Sequence, residues 1–333
     1  MQQTRRIFSG MRPTGRLHIG NYLGALKNWV ELQDSYQCIY CAVDIHALTT
    51  ISSAEETGDI AVNIEEMVLD WLAAGLDPER SILFVQSHVP EVMSLHTLLS
   101  MVTPLGWLMR VPTFKEKVRQ MGETDETVNY GLVGYPVLQT ADIILYKADA
   151  VPVGEDQVPH LELAREIVRR FNNMFGETFP EPQAKLTEVP LIVGLDGQQK
   201  MSKSLDNHID IALSPEDTRK RVLTAYTDPK RTHRNIPGTP EVCNVYSLHK
   251  TFTPSADLNE IYQECTGALR GCVDCKRQLA SNINKHLGPL RDRREEYRAR
   301  PGYVKEVLEH GEEQARRIAR ETMAEVNEKM GLA

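Results

Sequence analysis

No run of about eighteen apolar residues occurs anywhere in the 333-residue chain, so no membrane-spanning helix and no membrane partner are expected. The opening Met1-Gln-Gln-Thr-Arg-Arg-Ile-Phe8 lacks the apolar core of a signal peptide, and the chain reads as cytoplasmic. Internal repeats and low-complexity tracts are missing too, which excludes a solenoid and a disordered scaffold. Cysteine is scarce, six in all, too few for a disulfide-stapled module; in a cytoplasmic chain these are thiols, metal ligands or nucleophiles. Basic residues are outnumbered, 38 against 46 acidic, and the net charge of −8 excludes a protein that coats nucleic acid by overall charge. What is present is ordinary for a globular protein, 41% hydrophobic and 25% charged, in a length that suits about two domains. The charge is uneven: from Glu216 to Arg300 sixteen Lys and Arg stand against eleven Asp and Glu, so this segment carries +5 and the remainder −13. That basic stretch allows a local polyanion-binding face, and equally a set of solvated helix surfaces.

The first half alternates apolar runs with helical patterns. Arg6–Gly10, Gln37–Asp44 and Ser81–Ser87 read as buried strands. The segments near Tyr22–Leu32, Glu55–Ala74 and Val89–Met101 read as amphipathic helices. A βαβ series of this kind predicts a doubly wound α/β domain with ligands at the carboxyl ends of its strands, where Gly10, Asp44 and Ser87 fall. Beyond about residue 213 the strand signals stop. Ser214-Pro-Glu-Asp is a helix start, with Ser as N-cap and Pro at the first helical position. Helical patterns follow near Pro215–Tyr226, Leu258–Cys265, Asp274–His286 and Leu290–Met330, with Lys230–Glu241 as a linker. The chain is thus expected to divide into an α/β domain, 1–205, and an all-helical domain, 206–333.

Two segments carry chemistry. In Ser9-Gly-Met-Arg-Pro-Thr-Gly-Arg-Leu-His-Ile-Gly-Asn-Tyr-Leu-Gly24 a strand passes through a Gly/Pro turn into a helix whose first turn holds His18, Gly20 and Asn21. Glycines let the backbone approach a phosphate, and a helix N-terminus offers free N–H groups to an anion. Gly15 and Gly20 have P-loop spacing, but Asn21-Tyr22 replace the Lys-Ser/Thr that a P-loop needs. Far downstream, Lys200-Met-Ser-Lys-Ser204 sets two lysines and two hydroxyls on a loop, which suits a polyphosphate whose charge grows as a bond to it breaks. Each alone reads equally as an ordinary turn or a solvated loop.

Together, His-Ile-Gly-Asn after the first strand and Lys-Met-Ser-Lys-Ser after the last resemble the two signatures of class I aminoacyl-tRNA synthetases. Tyr135-Pro-Val-Leu-Gln-Thr-Ala-Asp-Ile-Ile-Leu-Tyr146, Val151-Pro-Val-Gly-Glu-Asp-Gln157, Phe114-Lys-Glu-Lys117 and Asp44-Ile-His-Ala-Leu-Thr49 narrow the resemblance to the tryptophanyl-tRNA synthetase family, over nearly the whole chain. The resemblance implies a Rossmann-like catalytic domain, an anticodon-binding helical domain, a homodimer, and tryptophan, ATP with Mg²⁺, and tRNA(Trp) as substrates. It further implies that Arg12, Pro13, Thr14, Gly20 and Asn21 contact ATP, with His18 in the signature. Gly154, Glu155 and Asp156 would form the ribose turn, and Lys200, Met201, Ser202, Lys203 and Ser204 the phosphate loop, with Lys117 a further phosphate-binding lysine. Asp142 would accept the indole N–H, with Phe8, His46, Tyr135, Gln139 and Gln157 around the amino acid. Arg12 stands where Gln is frequent in that family, and Gln139 where Met is frequent. The residues agree for Asp142: indole N–H is only a donor, so a selective site needs a buried acceptor, and the apolar Ala141 and Ile143-Ile144-Leu145 weigh against a surface carboxylate. The segment Val89–Gly134 is too short for the insertion with which other class I enzymes edit, so no editing is expected.

Cys38-Ile-Tyr-Cys41 has the form of a metal motif, but in a strand residues three apart face opposite ways, and both are expected to be core thiols. Cys243, Cys265, Cys272 and Cys275 all lie in the helical half, with Gly267 and Gly271 breaking the helix between them. Four thiolates suit a structural Zn²⁺ or a [4Fe–4S] cluster, and spacing does not decide. A similar pattern in a bacterial subset of the resembled family implies [4Fe–4S], with Zn²⁺ the alternative. Outside that resemblance stand tyrosyl-tRNA synthetase, sharing fold and signatures; a small-molecule adenylyltransferase, which needs no helical domain; and an iron–sulfur tRNA-binding protein, which leaves both phosphate loops unexplained.

Overall fold

The computed structural model describes residues 5–49, 57–111, 114, 128–186 and 192–332. Its sheet has five strands, β1 (Arg6–Met11), β2 (Gln37–Ala42), β3 (Ser81–Val85), β4 (Ala150–Val153) and β5 (Gln183–Leu186), all parallel in the order β3-β2-β1-β4-β5. The crossovers include α1 (residues 19–32, π-helical over Tyr22–Leu26), α2 (Asp44–Leu48), α3 (Ile60–Ala74), α4 (Glu91–Val102), α5 (Tyr130–Leu145) and α6 (Val158–Phe175). This is the doubly wound arrangement, and its strand order reverses between β1 and β4. In open sheets of this kind ligands sit at that reversal, outside the carboxyl ends of the strands, which here is beyond Met11 and Val153.

The two faces of the sheet carry separate cores because successive strand residues alternate sides. Phe8, Ile39, Cys41, Ile82 and Phe84 pack into one apolar cluster, whereas Ile7, Cys38, Tyr40, Leu83 and Val85 pack into the other. Cys38 and Cys41 are accordingly buried thiols on opposite faces, as strand geometry requires.

After β5 the described elements are helical: α7 (Pro215–Leu223), α8 (Asn244–Phe252), α9 (Ser255–Thr266), α10 (Cys272–Arg298) and α11 (Tyr303–Met330). Ser214 caps α7, its Oγ accepting the Asp217 N–H at 3.1 Å. The long C-terminal helices are divided differently from the sequence reading. The patterns at 274–286 and from 290 onward join in one helix, α10, which runs through Pro289; Leu287 and Leu290 are fully buried and hold the backbone helical. The break falls instead at residues 299–302, where Gly302 adopts φ 81°. Helix α8 was not anticipated.

The helical half does not form a core of its own. Leu279, Ile283 and Leu287 of α10 join Ile64, Met67 and Leu72 of α3 in one cluster, and Ala315, Ile318 and Met323 of α11 join Phe84 and Leu95 in the other. Helix α11 covers edge strand β3 so closely that a Cβ on Gly311 would lie 1.9 Å from the Leu83 carbonyl oxygen. A covered edge offers no template for pairing with another chain.

Candidate active site

The chain leaves β1 through Arg12-Pro13-Thr14-Gly15, where Gly15 takes φ 95° and leads into α1. His18 is the N-cap of α1: its Nδ1 accepts the Asn21 N–H at 3.3 Å, and Asn21 Oδ1 accepts the His18 N–H at 3.2 Å. Burial, with His208, Lys203 and Lys200 adding to it, pushes His18 down to about 4, so the ring is neutral at pH 7. A neutral ring whose Nδ1 accepts carries its proton on Nε2, and so has one N–H to donate. Arg12, half-buried, donates to the Ala47 carbonyl at 3.4 Å.

The second signature is brought to the first. Leu17 accepts at its carbonyl from the Ile211 N–H (3.0 Å), and the Ile19 N–H donates to Ile209 (2.9 Å), zipping the segment after Lys200–Ser204 to the turn that holds His18. Within the loop Met201 is buried as an anchor, its N–H donating to Ile192 at 2.9 Å. The Ser202 N–H donates to buried Asn207 (2.7 Å), the Ser202 and Ser204 hydroxyls meet at 2.8 Å, and Lys200 and Ser204 are exposed. Lys203 Nζ donates to the Thr14 carbonyl at 3.0 Å, and burial draws its pKa below the usual lysine value. Residues almost two hundred positions apart thus present one cationic, hydroxyl-bearing rim.

A second cluster of polar side chains lies on α5, where Tyr135, Gln139 and Asp142 share a face at i, i+4 and i+7. Asp142 is 2% exposed; both of its oxygens accept from Gln86 Nε2 at 2.8 Å, and Oδ2 lies 2.9 Å from His46 Nε2. That occupies three of about four acceptor positions of a carboxylate. Phe8 stacks on Tyr146 at 5.5 Å, and Tyr135 Oη meets His160 Nε2 at 2.6 Å, while His160 Nδ1 meets Gln157 Oε1 at 3.1 Å. Gln139 is half-buried on the same helix face. The turn after β4 is closed by the Gln157 N–H donating to the Gly154 carbonyl at 3.0 Å, with Glu155 exposed; Asp156 is described by its backbone alone. Lys117 lies outside the described residues.

Gln86 and His160 were missed by the sequence reading. Gln86 is fully buried at the carboxyl end of β3, its Oε1 accepting the N–H groups of Ile45 (3.1 Å) and His46 (3.3 Å), which turns its amide toward Asp142. The available signal was its place beside Ser87, at a strand end already marked for ligands.

The four remaining cysteines gather on three helices. Cys243 is the N-cap of α8, Cys265 lies in the last turn of α9, and Cys272 and Cys275 open α10. All are half-buried free thiols, and the Arg231 guanidinium donates to Cys265 Sγ at 3.4 Å. Burial pushes Cys275 up to about 12 against the opposing pull of Arg270, and Cys243, Cys265 and Cys272 raise it further. Among the described residues no three His, Cys, Asp or Glu side chains form a site for a single metal ion, and no helix is long and apolar enough to cross a membrane.

A family model described as tRNA synthetases class I (W and Y) matches residues 1–288. A tryptophan–tRNA ligase of Deinococcus radiodurans is 47% identical over 329 residues, covering 98% of each chain. Another, of Thermotoga maritima, is 45% identical over 329 residues, 98% of this chain and 99% of its own. Among solved structures, tryptophanyl-tRNA synthetase from Campylobacter jejuni, complexed with ADP and tryptophan, has a TM-score of 0.87 at 36% identity, covering 98% of this chain and 100% of its own.

Proposed function

The chain belongs to the class I tRNA synthetases of the W and Y family, and we propose that it is a tryptophan–tRNA ligase, activating tryptophan with ATP and transferring it to tRNA(Trp). The observation that carries the choice of tryptophan is Asp142, a buried carboxylate held by Gln86 and His46 with acceptor capacity left over. It takes the indole N–H, while Phe8, Tyr135, Gln139 and Gln157 surround the amino acid. The Deinococcus and Thermotoga relatives, matched over 98% of this chain at 47% and 45% identity, are tryptophan–tRNA ligases, which supports the same choice.

The tryptophan carboxylate is ionised at pH 7, so the first step needs no base. It attacks the α-phosphorus of Mg²⁺-ATP in line, forming tryptophanyl-adenylate and expelling pyrophosphate. Catalysis is then positioning and charge stabilisation. Lys203 and Lys200 meet charge on the leaving group, with Lys117 as a third lysine; His18, through Nε2–H, and Asn21 act at the phosphates. Arg12, Pro13, Thr14 and Gly20 line the ATP side, and Gly154, Glu155 and Asp156 hold the ribose. A hydroxyl of the tRNA terminal ribose, the 2′-hydroxyl by family analogy, then attacks the adenylate carbonyl and expels AMP.

Residues 1–205 carry this chemistry, and 206–333 supply the anticodon-reading helices. A second copy of the chain completes the enzyme, a reading supported by exposed Met101 in the last turn of α4 and exposed Leu105 just after it. Editing is absent, since residues 89–134 leave no room for a hydrolytic domain. Cys243, Cys265, Cys272 and Cys275 would hold a [4Fe–4S] cluster, with Zn²⁺ the alternative; the observation behind this reading is that four half-buried free thiols gather where α8, α9 and α10 meet, close enough for three of them to raise the pKa of Cys275. When bound, the group fastens three helix ends and takes no part in group transfer. Charging assays test the function: tRNA(Trp) should accept tryptophan and not tyrosine, and tyrosylation of tRNA(Tyr) by the chain would select the tyrosine reading instead.

A further inference from the structure

Asp70, on α3, is a fully buried carboxylate that the chemistry above leaves unused. Its Oδ2 accepts the Leu17 N–H at 2.8 Å, and its Oδ1 accepts Arg294 Nε at 2.5 Å. Arg294 comes from α10, in the helical half, and is itself only 2% exposed. One turn earlier on α3, Glu66 repeats the pattern: it accepts from Arg16 (2.9 Å) on one side and from Arg294 (2.8 Å) and Arg298 (2.9 Å) on the other. Two carboxylates on successive turns of one helix thus grip the nucleotide turn with one set of bonds and α10 with the other.

A buried ion pair is by itself weak evidence of stabilisation, because removing both charges from water offsets their attraction, and apolar residues of similar volume often serve as well. The specific feature here is the third partner. Leu17 directly precedes His18, and its carbonyl is already fixed by the Ile211 N–H. Asp70 fixes the other side of the same residue, so the direction from which the chain enters α1 is set by a carboxylate whose own position is set by α10.

We propose that Asp70, braced by Arg294, is a positioning residue for ATP: it orients the turn that presents His18, Gly20 and Asn21, and so makes the nucleotide site depend on the helical half. This rests on the ATP-binding reading of that turn, not on the identity of the amino acid. ATP affinity measured by titration calorimetry without amino acid therefore tests it separately from the tryptophan assignment, which amino-acid-dependent ATP–pyrophosphate exchange tests. The double variant Asp70→Leu with Arg294→Met removes the acceptor and both charges while keeping apolar volume. It should fold, bind ATP about tenfold or more weakly, and keep its tryptophan KM in exchange, since the Leu17 N–H is left without its acceptor. Asp70→Asn with Arg294→Met restores a neutral acceptor and should recover most of the loss. Wild-type ATP affinity in the first variant, equal losses in both, or a parallel change in tryptophan KM would each overturn the proposal. Should the leucine variant fail to fold, Arg294→Lys, which keeps the charge but loses the fork joining Asp70 to Glu66, should weaken ATP severalfold; unchanged affinity there overturns it equally.

Discussion

Asp142 and His18 are both buried polar groups, and each is set to its task by neighbours on other elements. Asp142→Asn keeps the volume but turns an amide toward the amide of Gln86 and loses charge-assisted acceptance of the indole N–H, worth about 1.5–3 kcal/mol. Tryptophan KM should rise and discrimination against phenylalanine should fall, with ATP affinity unchanged; an unchanged tryptophan KM in steady-state exchange would falsify the role. For His18 the pH sign follows from its neutral form. The folded protein resists protonating a ring driven to about 4, whereas the unfolded chain protonates it near 6.5. Stability from this residue is present above pH 6.5 and is lost as pH falls toward 4, by up to about 1.4 kcal/mol per pH unit. His18→Asn keeps a capping acceptor without the titration, so urea unfolding between pH 4 and 6.5 should show a shallower pH slope in that variant; identical slopes would contradict the account. Asp142 was legible in the sequence because a carboxylate within an apolar run must have partners. Gln86 was not, because its role exists only through the backbone of Ile45 and His46 and the carboxylate of Asp142, brought together by folding.

At the scale of elements, the first three strands and the start of α7 could be read because their signals are local: apolar runs, and Ser-Pro with acidic residues after it. Helix α8 escaped because its nine residues, rich in β-branched, aromatic and small polar side chains, have poor helix propensity; Val245, Leu248 and Phe252 hold it by packing. Between the patterns read separately at 274–286 and from 290 onward the helix continues through Pro289, since burial of Leu287 and Leu290 outweighs the missing hydrogen bond. The ends of α8, α9 and α10 meet at the four cysteines, and the metal proposal belongs to this scale. Anaerobically purified protein should be brown, with about four iron and four sulfide per chain. Cys272→Ser should weaken tRNA charging while leaving tryptophan-dependent exchange largely intact, because Cys272 stands about six turns along α10 from Arg294, the residue of that helix that reaches Asp70 and the proposed nucleotide turn. Colourless protein with stoichiometric zinc would select the alternative, and metal-free protein with normal charging would make these thiols packing residues.

For the whole molecule, composition indicated two domains and the order of elements indicated a doubly wound sheet, and the sheet is so ordered. What composition could not convey is that the helical half lacks a separate core: α10 packs on α3, and α11 returns to cover β3. Such contacts join residues more than two hundred positions apart, beyond the reach of any local pattern. The same long-range assembly brings Lys203 to Thr14 and Asp142 to Gln86, joining segments that are ambiguous singly into the site proposed for adenylation. Selectivity for tryptophan is tested most directly by ATP–pyrophosphate exchange with the purified chain against each of the twenty amino acids. Rapid exchange with tryptophan and exchange at background with the other nineteen, tyrosine and phenylalanine included, are expected; exchange driven by tyrosine, or by none of the twenty, would rule out tryptophan activation by this site.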